Sequence, residues 1–168
     1  MRLKLMTMVM AVFLSISAQA QSLTAKNWFA DMSDKENDIT LMLTYDEKGG
    51  CDAFLRLEDV EEDEEGIKMT IQYNMLFPGT YTLTGKVVKM AFDTANAETK
   101  LTFDIEGVDE STKNLMMSLF KPELDKMKPE IEAILIQSLP TNDSYEITKL
   151  TETELQFDGG FDWVGMDK

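Results

Sequence analysis

The chain has 168 residues, with 16 lysines and arginines against 31 aspartates and glutamates, no histidine, and a net charge of −15. A surface this acidic repels nucleic acid and anionic membrane. The lack of histidine removes histidine triads, histidine metal sites and histidine acid–base catalysis together, and one cysteine allows neither a Cys–His nucleophile nor an intramolecular disulfide.

The first twenty residues read as an export signal: Arg2 and Lys4 precede an apolar run from Leu5 to Ile16, and Ala18-Gln-Ala20 has the small-x-small cleavage pattern. The run is too short to span a bilayer, and no cysteine follows it to take a lipid. Residues 21–168 are therefore expected as one domain without a stable membrane anchor, released to the periplasm or the medium. Cleavage removes two positive charges and no acid, which takes the net charge from −15 to −17.

Period-two alternation dominates the mature chain, the signature of half-buried strands. A first strand is expected near Asn27 to Asp31. Ile39, Leu41, Leu43 and Tyr45 point inward from the next, and Cys51, Ala53, Leu55 and Leu57 from the third, which makes Cys51 a small core residue. Glu58, Asp59 and Glu61 to Glu65 form an acidic run that reads as a solvated hairpin loop. It lacks the ligand spacing of an EF-hand, so no metal is expected there. Ile67, Met69, Ile71, Tyr73, Met75 and Phe77 share one face of the clearest strand, and Pro78-Gly79 marks a turn. Strands follow at 79–84 and 87–93, then at 100–106 with Leu101, Phe103 and Ile105 inward.

Residues 109–139 change period. Leu115, Met116, Leu119, Phe120, Leu124, Met127, Ile131, Ile134, Leu135 and Leu139 recur at three- and four-residue intervals, an apolar helical stripe. Asp109 to Thr112 suits its N-terminal cap. Lys121-Pro-Glu123 and Lys128-Pro-Glu130 fit either one kinked helix or helices restarting at each proline. Pro140 ends the segment, short strands are expected at 145–149 and 154–157, and residues 158–168 read as a flexible aromatic tail. That tail either folds over a cavity mouth or engages a partner, or else packs on the outside. The sum is a mainly β chain: an antiparallel up-and-down β-barrel of about eight or nine strands, with a helical insertion before the last hairpin.

Gly79-Thr-Tyr-Thr-Leu-Thr-Gly-Lys-Val-Val-Lys-Met-Ala-Phe92 resembles a hairpin of lipocalin-like secreted bacterial proteins, with its Gly-x-Tyr-x-Leu-x-Gly turn. Tyr145-Glu-Ile-Thr-Lys-Leu-Thr-Glu-Thr-Glu-Leu-Gln-Phe157 is similar to their closing hairpin, and Phe120 to Ile131 to the helical insertion some members carry. Lys26-Asn-Trp28 stands where lipocalins have Gly-x-Trp. The resemblance implies a barrel with Trp28 plugging one end.

An enzyme would have to work with carboxylates, Ser, Lys or Tyr, and among 31 acids no carboxylate pair stands out; no phosphate loop or dinucleotide fingerprint is present, and no cofactor is expected. The functional expectation is an exported, non-enzymatic protein that holds a small, largely hydrophobic molecule inside the barrel. Tyr45, Met69, Tyr73, Met75, Tyr81, Met90, Phe92 and Phe103 are the candidate lining. Such residues equally fill a small barrel. In that case the acidic surface and the tail would serve a protein-interaction or inhibitor module.

Overall fold

The computed structural model describes residues 23–33, 38–140, 144–158, 160 and 162–168. The expected export signal, residues 141–143 after Pro140, and Phe161 of the tail lie outside them. Ten strands form one curled antiparallel sheet: β1 (Lys26–Asp31), β2 (Asp38–Tyr45), β3 (Cys51–Glu62), β4 (Lys68–Phe77), β5 (Gly79–Thr84), β6 (Val87–Phe92), β7 (Glu98–Glu106), β8 (Ser144–Leu150), β9 (Glu154–Phe157) and β10 (Asp162–Asp167). One helix, α1 (Glu110–Gln137), runs between β7 and β8.

The strand order is β5-β6-β8-β9-β10-β1-β2-β3-β4-β7. It becomes simpler once β4 and β5 are seen as one strand bent at Pro78, a residue with no N–H to give a ladder. The partner strand, β6 and β7, bends opposite it at a 3-10 turn over Thr94–Asn96, whose backbone is capped by the Asp93 carboxylate. Asp93 N–H donates to Pro78 O at 2.8 Å and ties the two bends together. With the bent strands counted whole, sequence neighbours pair all round, and β10 returns to β1 in the register Trp28↔Gly165. The up-and-down arrangement of eight strand positions follows, and the helix precedes the last hairpin as the sequence implied.

Alternation decides the inner face. Leu43, Ala53 and Phe77 lie in one cross-strand row, and Leu41, Leu55 and Met75 in the next. All are buried, together with Trp28, Tyr45, Tyr73, Val88 and Met90. Trp28 donates its indole N–H to Leu23 O at 2.9 Å, so it is buried with its polar atom satisfied, as burial requires.

Two expectations are corrected. The acidic run is largely strand: β3 continues through Glu62, where Glu61 pairs with Met69 and Glu62 with Lys68. Only Asp63 to Ile67 turn, with the Asp63 carboxylate accepting the N–H groups of Glu65 and Ile67, both at 2.9 Å. The ladder prevails because exposed acids on a strand extending past the core keep their hydration. The tail is not free either, since residues 162–167 are β10, paired with both β9 and β1.

Candidate functional site

Among the described residues the sheet ends at β5, which Thr80 bridges to Gly50, and at β7, which leaves a seam. β6 joins β8, but the β7 half of the same bent strand has no strand on its outer edge. The helix α1 packs beside that edge. Gly107, at φ +88°, turns the chain out of β7 in a conformation that glycine adopts without strain, and Asp109 caps the helix by accepting from Ser111 and Thr112 N–H groups. Pro122 and Pro129 both lie inside a single 28-residue helix. Leu124, Ile131 and Leu135 are the helix residues that are buried, whereas Leu119 remains 65% and Leu115 60% exposed.

Two polar contacts fasten α1 to the sheet. Lys113 Nζ meets Asp104 Oδ1 of β7 at 2.5 Å, and Tyr73 Oη donates to Glu132 Oε1 at 2.5 Å. Between these points a cleft of about 270 Å³ opens, lined by Leu101 and Phe103 from β7 and by Met117, Ser118, Lys121, Leu124 and Asp125 from the helix. The Phe103 ring stands edge-on to Phe120 with centroids 5.6 Å apart. At the cleft, Lys121 and Asp125 are 3.6 Å apart and largely exposed, a pairing too weak to seal the opening. A wider depression of about 460 Å³ lies on the outer face, among Phe54, Arg56, Asn74, Leu76, Glu98, Thr99 and Lys100. Its charged walls keep their hydration, which makes it a poorer apolar site.

The candidate lining separates into groups. Tyr45, Tyr73, Met75 and Met90 are fully packed in the barrel, and Tyr45 Oη donates to Met90 Sδ at 3.1 Å. Tyr81 stands edge-on to Tyr45 at 4.9 Å and gives its hydroxyl proton to Asp46 O. Phe92 packs against the same core near Gly79. Met69 is half-buried and pairs with Ile105, toward the β3–β4 hairpin. Phe103 alone of the eight lines the cleft. Leu101 and Leu124 had a periodicity signal for burial, but only the fold brings them together. Met117 lay outside the apolar stripe.

Cys51 is buried, and burial pushes its thiol above the usual range. Burial does the same to the Tyr45 phenol. For Tyr73 burial is again the main cause, reinforced by the hydrogen bond to Glu132. These groups stay protonated in the fold and ionise on unfolding, so the native state holds more protons and stability falls as pH rises. The loss should begin near pH 8.5, the ordinary thiol range, and steepen toward pH 10 as phenols join. Urea midpoints measured from pH 7 to 10 should decline over that interval, and a flat profile would contradict the burial of these groups. The described residues include no helix long and apolar enough to cross a membrane, and no group of three or more His, Cys, Asp or Glu placed to hold a metal ion. No protein-family profile matches the chain, and no curated protein shows significant similarity to it.

Proposed function

We propose that the protein is an exported, lipocalin-like binding protein that holds a small, largely apolar molecule without transforming it, in the cleft between α1 and β7. The observation that carries this reading is the apolar cleft at the seam, where side chains rather than a backbone ladder close the barrel. Leu101, Phe103, Met117 and Leu124 supply apolar and polarizable walls that adapt to a ligand's shape, while the Ser118 hydroxyl and the Lys121–Asp125 pair offer polar contacts at one side. Because Tyr45, Tyr73, Met75 and Met90 fill the barrel interior, the proposed ligand sits at the seam and not on the barrel axis.

A neutral apolar fluorophore such as Nile red should bind with one-to-one stoichiometry. Phe103→Trp, which fills the cleft, should weaken binding about tenfold, the effect of losing a well-buried apolar contact, with little change in melting temperature. The competing reading, which the filled interior also fits, is a protein that engages a protein partner, favoured by the exposed Leu115, Leu119, Met127 and Ile134 on α1. Binding that survives Phe103→Trp but disappears in a Leu119→Ser, Ile134→Ser double variant would transfer the apolar site to that outer surface.

A further inference from the structure

A second cavity, of about 170 Å³, lies at the opposite end of α1 from the cleft, where the helix terminus meets β2, β8, β9 and β10. Three of its walls are aromatic. Tyr145 and Phe157 have centroids 5.7 Å apart with planes inclined at 51°, and Phe157 and Trp163 are 6.3 Å apart at 79°. The rings therefore form a corner and do not stack face to face. Leu41, Leu139 and Pro140 complete the apolar lining. Among the described residues, Ser138 is its one hydroxyl-bearing side chain besides Tyr145, and that hydroxyl is engaged in donating to Ile134 O at 3.0 Å.

Among the described residues no charged side chain lines this cavity, yet it belongs to a chain of net charge −15. Glu146, Asp158 and Asp162 lie on the strands and turn that carry the three rings. Among the described residues none of these acids forms an ion pair with a lysine or arginine. Aromatic faces attract a cation through the ring quadrupole, and three such rings border this cavity. A compact, strongly hydrated ammonium needs hydrogen-bond acceptors to replace its water, and the lining offers few. A trimethylammonium group needs none, and at ~30 Å³ for each water-sized unit the cavity holds about five or six heavy atoms, which matches its size.

We infer that the Tyr145–Phe157–Trp163 corner is a binding site for a quaternary ammonium group, toward which the surrounding acids steer the ligand. This site is separate from the apolar cleft, and its test does not depend on that cleft.

Tetramethylammonium, choline and 3,3-dimethylbutanol, the uncharged carbon analogue of choline, are titrated into the intact protein by calorimetry and tryptophan fluorescence. The two cations should saturate one site, and the neutral analogue should bind roughly tenfold more weakly, the selectivity expected of desolvated cation–π contacts. Tyr145→Leu keeps apolar volume and removes one ring, so it should lower cation affinity several-fold while Nile red binding at the seam is unchanged. Phe157→Leu provides the same comparison from a second wall. Sedimentation with phosphatidylcholine vesicles, reversed by free choline, would assign the group to a lipid head. Choline binding without sedimentation would assign it to a free molecule, and both support the site. Equal affinity for choline and its neutral analogue, or no saturation by either cation up to tens of millimolar, would overturn it. This comparison within the unmodified protein stands even if a variant fails to fold.

Discussion

Trp28→Ala should destabilise the protein by about 3–5 kcal/mol, the range for removing a buried aromatic side chain. The indole is fully buried, its N–H is bonded to Leu23 O, and its six-membered ring lies over Gly165 of β10. A Cβ on residue 165 would come within 2.9 Å of Trp28 Cζ3 and 3.0 Å of Glu152 O. For a domain of this length the loss corresponds to a fall in melting temperature of roughly 10 °C. Thermal denaturation followed by circular dichroism measures it, and a fall of only a few degrees would show that Trp28 does not anchor this end of the barrel.

Gly79→Ala should cost about 3 kcal/mol, at the upper end of the overpacking range. An added Cβ would lie 2.7 Å from both Cys51 O and Ala91 O and 2.6 Å from Phe92 Cδ1. The phenylalanine can shift, but the two carbonyls belong to strands held in their ladders. Gly79 permits that approach because it follows Pro78 at the corner where the bent strand crosses close to β3, with Thr80 bridged to Gly50 and Tyr81 N–H bonded to Gly49 O. Gly85→Asn serves as the control: residue 85 is at φ +62° with nothing near its Cβ position, a conformation asparagine tolerates. Urea midpoints should drop markedly for Gly79→Ala and little for Gly85→Asn. Equal shifts would mean the crossing is looser than its geometry indicates.

The barrel was legible wherever inward positions carry large apolar side chains, as at Ile39, Leu41, Leu43 and Tyr45 or Tyr73, Met75 and Phe77. β10 was not, because its inward positions are Trp163 and Gly165, the next residue of that parity, Asp167, is exposed, and Gly165 leaves room to receive Trp28 from the paired strand. An aromatic ring covering a cross-strand glycine is a stable pairing, but it erases the alternation by which a strand is recognised. Pro78-Gly79 read as a turn for a related reason: proline and glycine mark a corner within one strand in the same way as a reversal between two. The cleft was less legible than the fold. Phe103 followed from its strand parity, but its partners Met117 and Leu124 stand on a helix whose rotation about its axis is set by Tyr73–Glu132 and Lys113–Asp104, contacts between residues distant in sequence. In the aromatic corner, Tyr145 and Phe157 came from a hairpin and Trp163 from what read as a tail, so their convergence depended on β10.

The β1–β10 pairing also bears on the order in which the barrel assembles. Most ladders join segments adjacent in sequence, but Lys26 and Asp167, ion-paired across β1 and β10, are separated by 141 positions. Bringing such distant segments together costs more chain entropy than closing a hairpin, by about 3 kcal/mol on logarithmic scaling with loop length. Closure is therefore worthwhile only after the hairpins have formed and Trp28 has a surface to cover, which makes it a late event in folding. A molecule in which that joint had not yet closed would bare the edges of β1 and β10 to another chain.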